Sequence, residues 1–173
     1  SLIRHQADAI GLPLVPVCIP EHADNDTYEK RLSETLADFR RQGVERVVHA
    51  DIFLEDIKSY RDKQLTKLDM DGVYPLWGQD TAKLAEQFVS LGFRSVVTCV
   101  DTSVLGQEFA GRNYDRKFID DLPDGVDPCG ENGEFHTFVY AGPIFRKPIV
   151  FEKTGVFTTW DRRFYHVRLT ANK

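Results

Sequence analysis

The sequence predicts an α/β protein, with a mostly parallel sheet carrying helices on both faces and a small α+β region at the C-terminal end. Three observations carry that expectation. Apolar runs at Val44–Ala50 and Phe93–Val100 are separated by amphipathic stretches long enough for crossover helices, which parallel pairing requires. Those runs are nearly continuous rather than alternating, as in strands covered on both faces. Beyond residue 102 the helical alternation stops, and glycine, proline and aspartate concentrate in residues 121–133 ahead of several short strand-like runs.

Taken in order, Leu2, Ile3, Gln6, Ala9 and Ile10 have helical spacing, and Gly11 is placed to end that helix. Leu14–Ile19, bounded by Pro13 and Pro20, reads as a buried strand, with Pro16 suggesting an edge or a bulge. Asp26 with Glu29 three residues on forms a capping-box pattern. The helix that follows would bury Tyr28, Leu32, Leu36 and Phe39 and stop at Gly43. Val44–Ala50 is a strand, residues 54–69 a charged helix with Leu54, Ile57, Tyr60, Leu65 and Leu68 on its apolar side, and Tyr74–Trp77 a short extended segment. Asp80 caps a helix through Leu84, Ala85 and Phe88, Gly92 stops it, and Phe93–Val100 is the third strong strand. Phe135–Tyr140, Lys147–Glu152 and Arg163–Leu169 are the later strands. The chain opens on a crossover helix with no strand before it, so a leading βα unit is expected to be missing.

Composition narrows the function. Twenty-two Lys and Arg against 27 Asp and Glu give a net charge of −5, which argues against a non-specific nucleic-acid binder. No run approaches the roughly 18 apolar residues of a membrane helix, and no signal peptide is legible. Cys18, Cys99 and Cys129 are odd in number and widely spaced, which indicates neither a zinc site nor a disulfide framework and suits a reducing cytoplasm.

The most unusual segment is residues 127–137, Asp-Pro-Cys-Gly-Glu-Asn-Gly-Glu-Phe-His-Thr. Gly130 and Gly133 flank Glu131 and Asn132, and Glu134 follows at once. Glycine permits close approach to a ligand, and carboxylates beside such a turn can coordinate magnesium, hold a cationic group or act as a general base. The plain alternative is a solvated acidic turn ahead of a strand. In a strand from Phe135, His136 and Phe138 share one face and Phe135, Thr137 and Val139 the other. Asp51 ends a strand, where open α/β sheets bind ligands, or simply caps the next turn; Asp101 is placed similarly. Trp77 beside Gly78 is either an aromatic wall for a cation or a core residue. Cys99 reads as an inert buried thiol, and Arg61, Lys63 and Lys67 as a solvated helix face. The phosphate-cradle runs GxxxxGK[ST] and GxGxxG are absent, as are GxSxG and HExxH.

Residues 125–145 (GVDPCGENGEFHTFVYAGPIF), with ADIFLEDIKSYR at 50–61, PLWGQDT at 75–81 and LGFRSVVTCVD at 91–101, resemble the diphthine–ammonia ligase family of N-type ATP pyrophosphatases, the PP-loop adenine-nucleotide α-hydrolase-like proteins. The resemblance runs from Gln6 through Phe145. It implies a Rossmann-like (HUP-type) sheet and two parts, a truncated nucleotide-binding α/β domain over residues 1–101 and a substrate-binding subdomain over 102–173. It implies ATP with Mg, a carboxylate substrate activated as an acyl adenylate, and ammonia. In that family the acid is diphthine, a modified histidine of translation elongation factor two. Carried onto this chain, Glu131 and Glu134 would be catalytic. Gly130, Asn132, Gly133, His136 and Thr137 would line the substrate side and Asp51 would stand on the nucleotide side, with no protein metal ligands assigned; cation–π attraction, rather than the resemblance, makes Trp77 a candidate wall for the trimethylammonium. The family's Ser-Gly-Gly-Lys-Asp-Ser loop does not occur here, which matches the missing βα unit and makes an incomplete chain the expectation. The unpaired edges so left would favour a homodimer. Asn132 and His136 depart from the archaeal and eukaryotic pattern; the variant looks bacterial and points to a different carboxylate. The alternatives are a non-catalytic module binding through the Gly130–Thr137 loop and, less well supported by the acidic charge, a tRNA-modifying PP-loop enzyme.

Overall fold

A computed structural model describes residues 1–20 and 23–171. The chain divides into two compact units: unit 1 joins Ser1–Leu14 to Asp80–Lys173, and unit 2 is Val15–Gln79.

Unit 1 is built on an antiparallel sheet of five strands. These are β3 (Arg94–Asp101), β4 (Asn113–Tyr114), β5 (Phe135–Ala141), β6 (Phe151–Thr159) and β7 (Phe164–Ala171). The order is β4-β3-β7-β6, with β5 also paired to β3. β5 pairs with β3 from Arg94 to Val100. The other edge of β3 takes β4 at Ser95 and Val96 and β7 at Cys99–Asp101. The expected mostly parallel sheet is therefore not what this unit forms. The apolar run of β3 correctly reported burial on both faces; it carries no information about strand direction.

Two apolar clusters lie on the sheet. Val97, Val100, Phe109, Tyr114, Phe118 and Phe135 form one with Ala85 of helix α4 (Thr81–Ser90). Val96, Phe138 and Ile149 form the other with Ala9 of helix α1 (Leu2–Ile10). Val97 and Val100 are three residues apart yet share a cluster. A register shift between Val97 and Cys99 makes Thr98 an extra residue and resets the alternation. Gly11 ends α1 as expected, in the left-handed region at φ 76°, its N–H bonded to Ala7 O (2.8 Å). Asp80 caps α4 by accepting from Lys83 N–H (3.1 Å), also as expected. The short helix α5 (Arg116–Asp120), capped by Asp115 and carrying the fully buried Phe118, lies in a stretch assigned no element from sequence.

Unit 2 contains helices α2 (Asn25–Arg41) and α3 (Glu55–Thr66) and the parallel pair β1 (Arg46–Val48) and β2 (Asp71–Val73). Here a parallel βαβ element does form, from only three residues per strand. Several expectations need correction. Leu14–Ile19 is not a strand: it pairs with nothing and Val15 is 54% exposed, because Pro13, Pro16 and Pro20 supply no N–H. The N-cap of α2 is Asp24, not Asp26; its side chain accepts from Thr27 N–H (2.9 Å). α2 buries no residue fully, and Tyr28 is exposed. Tyr74–Trp77 is a turn closed by Trp77 N–H to Tyr74 O (3.2 Å), and the strand lies just before it. In unit 1, the strand read at Lys147–Glu152 begins at Phe151 and runs to Thr159.

Candidate functional site

The loop entering β5 is shaped by one buried carboxylate. Glu134 is 6% exposed. Its Oε1 accepts from Asp127 N–H (3.0 Å) and from Asn132 Nδ2 (2.9 Å). Asp127 in turn accepts from Glu131 N–H through Oδ2 (2.8 Å), and Gly133 N–H bonds Gly130 O (3.0 Å). The two glycines are needed: Gly130 (φ 69°) and Gly133 (φ 85°) are left-handed, and a Cβ on Gly130 would stand 2.8 Å from Phe135 O. Burial pushes the Glu134 pKa up, yet the Asn132 amide and the peptide N–H groups of Asp127, Glu134 and Asn132 outweigh it and hold the group below its ordinary value. Glu134 is thus an anion that staples the turn. The structure brings Gly130, Glu131, Asn132, Gly133 and Glu134 together as read from sequence. His136 and Thr137 continue along β5, exposed, opposite Cys99 and Val97.

The loop is also tied down from below. Tyr114 Oη donates to Pro128 O (2.7 Å), and Cys129 Sγ donates to Thr81 O (3.3 Å). Burial first, then the charges of Asp127 and Glu131, push the Cys129 thiol up to about 11, so it is no ready nucleophile. At the end of β3, Asp101 accepts from Arg163 Nε (2.9 Å) and Nη2 (2.5 Å) and from Ser103 N–H (3.0 Å) and Oγ (2.6 Å). The Arg163 guanidinium holds Asp101 well below the carboxylate range, against the opposing effect of burial and with Ser103 adding to it. The partner Arg163 lies 62 residues away, and no local signal in the sequence marks it.

Asp51 and Trp77 belong to unit 2. His49 N–H to Val73 O (2.9 Å) and Gly78 N–H to Ile52 O (2.8 Å) tie the segments after β1 and β2 together. Asp51 pairs with Arg61 (Nε to Oδ2 2.8 Å, Nη2 to Oδ1 3.3 Å). Trp77 meets Tyr74 edge-on at 6.0 Å. The Lys58 ammonium lies 4.6 Å from the Tyr74 ring centroid and 5.7 Å from that of Trp77. The rings of Tyr74 and Trp77 thus already face a cation of this chain, Lys58. Tyr74 donates to Asp62 Oδ1 (2.7 Å), and its pKa is pushed up to about 12 by burial and by that bond. His49 stacks on Tyr74 at 5.4 Å, its Nε2 is buried without a partner, and burial and then Arg61 lower its pKa. Sequence reasoning missed His49, Lys58, Asp62 and Tyr74; the adjacency of His49 to Asp51 at a strand end was the available signal.

The family model for the diphthamide synthase C-terminal domain matches residues 80–172, so its start coincides with the second segment of unit 1 and it covers the stapled loop. The chain belongs to the diphthamide synthase C-terminal domain family. A curated relative, diphthine–ammonia ligase of Danio rerio, is 26% identical over 177 residues, covering 91% of this chain and 68% of the relative. Both findings agree with the diphthine–ammonia ligase resemblance. Among the described residues no group of three or more His, Cys, Asp or Glu is arranged to hold a metal ion. No helix among them is long and apolar enough to cross a membrane.

Proposed function

We propose that this protein is an ATP-dependent amidoligase-like enzyme that activates a carboxylate as an acyl adenylate and transfers it to ammonia, with unit 1 serving the acid and the amine. The observation that carries the reading is the stapled Gly130–Gly133 turn within the matched family domain. ATP supplies the leaving group: the acid oxygen bonds to the α-phosphorus, pyrophosphate departs, and ammonia then forms the C–N bond as AMP leaves. Magnesium is expected to travel with the nucleotide, and the Rossmann-like sheet of the sequence reading would correspond to the parallel β1–α3–β2 element.

The residues of this chain fit that assignment unevenly. In unit 2, Lys58 is 2.7 Å from Asp62 and Arg61 2.8 Å from Asp51. Neutralised cations do not suit a triphosphate, which calls for uncompensated charge or converging peptide N–H groups, so no step at the phosphates is assigned to them. Asp51 would brace the strand-end loop on the nucleotide side through Arg61, and Trp77 with Tyr74 would offer an aromatic surface once Lys58 swings away. In unit 1, Glu134 would hold the turn, so that Gly130 and Gly133 let the acid approach the backbone. Asn132 would present its amide beside the acid, and His136 and Thr137 would extend the acid-side surface along β5. Glu131, its N–H held by Asp127, would receive the ammonium proton.

The test is pyrophosphate and AMP release by the intact protein with a panel of carboxylates, diphthine included, plus ammonia. Acid-dependent release is expected, with Glu131→Gln slower by roughly a hundredfold. Absence of nucleotide binding and of release with every acid overturns the reading. A second reading, a non-catalytic module, is favoured by the neutralised Lys58 and Arg61; it predicts ligand binding at the Gly130–Thr137 loop that is indifferent to ATP.

A further inference from the structure

A groove of about 590 Å³ in unit 1 lies between the start of α1, the β3–β5 pair and the β6–β7 hairpin. It is an open groove on the surface, not an enclosed cavity. Leu2, Phe138, Phe157, Val167 and Leu169 make most of it apolar. Its polar groups are few and can be accounted for one by one. Gln6 spends its Nε2 on Val139 O (2.7 Å), and Thr98, the bulge residue, gives its hydroxyl proton to His136 O (3.2 Å). Thr137 is neutral. Arg168 carries the only charge in the lining. Its guanidinium carbon is 5.3 Å from the Phe157 ring centroid, and no carboxylate of the described residues lies within ion-pair distance of it. Phe157 also stacks on His166, with ring centroids 4.6 Å apart and the planes nearly parallel.

We propose that this groove binds a monocarboxylate with an apolar body, with Arg168 taking the carboxylate. One unpaired guanidinium on an apolar wall selects one anionic head joined to a hydrophobic tail, because a planar fork matches a carboxylate and the remaining surface favours only apolar contact. A polyanion would find one partner for several charges, and an organic cation would meet repulsion. The surrounding charge agrees: residues 146–173 carry seven Lys and Arg against two Asp and Glu, whereas residues 1–145 carry 15 against 25. Thr137 stands three residues beyond Glu134 on β5, about 10 Å along a strand, so an acid in the groove lies within reach of the stapled turn. That the bound acid is the substrate rests on the amidoligase reading; that it binds does not.

The experiment is a calorimetric or NMR titration of the intact protein without ATP, using 3-phenylpropionate, its amide and acetate. The acid is expected to bind at least about tenfold more tightly than either control, and Arg168→Gln to abolish that preference. Arg168→Lys, which keeps the charge and loses the fork, should recover part of it. Arg168 is exposed, so these variants are expected to fold, which a melting curve checks. Equal affinity for acid and amide, or an acid preference that survives Arg168→Gln, overturns the proposal. Pyrophosphate release is scored separately. Binding without turnover leaves the groove assignment standing and counts against the ligase reading, whereas turnover unaffected by Arg168→Gln supports the ligase reading and removes the groove from it.

Discussion

The two units differ in how they are held together. Of the eighteen buried apolar residues described, unit 1 has fifteen, and the 65 residues of unit 2 have three: Ile52, Leu65 and Met70. Unit 1 closes an antiparallel sheet around interlocked aromatics, Phe118 lying within 5.2–5.7 Å of Phe109, Tyr114 and Phe135. Unit 2 has a two-stranded parallel sheet, an arrangement that ordinarily persists only when both faces are covered, and Val48 of β1 is 67% exposed. In place of a core it gathers His49, Asp51, Lys58, Arg61, Asp62 and Tyr74 in polar contacts. The difference shows how one chain can combine a stability-bearing unit with one suited to local opening.

The sharpest way to break this comparison is a cavity in each unit. Phe118→Ala should cost about 4 kcal/mol and shift the main urea transition, since a fully buried aromatic packed against the rings of Phe109, Tyr114 and Phe135 leaves a cavity that the surroundings fill only in part. Leu65→Ala, 2% exposed, should loosen α3 and β2 while leaving the transition of β3 and β5 in place. If Leu65→Ala moves that transition as much as Phe118→Ala does, the units are not distinct in stability.

Native-state hydrogen exchange gives a finer version. The amides of β3 and β5 are expected to exchange only through global unfolding, and those of β1 and β2 through local opening at least about a hundredfold more readily. Equal protection in both sheets would remove the distinction.

What was legible in the sequence follows the same division. Gly11, Asp80 and the limits of β3 and β5 were readable because caps and dense apolar runs act locally. The direction of β3 was not, because Val96, Val97 and Val100 need cover on both faces whichever way the neighbours run. Leu14–Ile19 misled because its valines satisfied the pattern while its prolines denied the ladder. At the site, Gly130, Gly133 and Glu134 could be singled out since two glycines around two carboxylates is a local oddity. The pairing of Asp101 with Arg163 and of Lys58 with two rings is made by the fold and leaves no contiguous trace.

Acid should separate the units next. Asp101 in unit 1 is held below the carboxylate range by Arg163 first, burial opposing and Ser103 assisting. A lowered folded pKa means that this stability is complete above the unfolded value of about 3.9 and is lost as pH falls through the folded one. Asp101→Asn should cost about 2 kcal/mol at pH 7 and flatten that acid limb. His49 in unit 2 acts nearer neutrality. Burial and Arg61 lower its pKa, so its protonation opposes folding as pH drops below about 6.5, and His49→Gln should remove that step. His166 gives unit 1 a similar step, from burial and His136, so the readout must be resolved by unit, as NMR chemical shifts are. A unit 2 step unchanged in His49→Gln would contradict the assignment.

The mildest probe leaves the fold untouched and reads the three thiols. Cys18 lies in unit 2 and is exposed; Cys99 is buried in β3, and Cys129 is half-buried under the stapled loop. Alkylation proceeds through the thiolate, and burial pushes both unit 1 thiols up, Cys129 to about 11 and Cys99 with the Asp101 charge adding to burial. At pH 8 one equivalent of iodoacetamide should therefore react quickly, at Cys18, and two slowly. The slow pair also reports on the loop. Glu134→Ala removes the oxygen that accepts from Asp127 N–H and Asn132 Nδ2 and keeps the turn closed, so it should raise the rate at Cys129 severalfold and leave Cys99, held in the sheet, unchanged. A rise at both cysteines would mean that Glu134 supports the sheet as a whole, and a rise at neither would mean that the turn keeps its shape without the carboxylate.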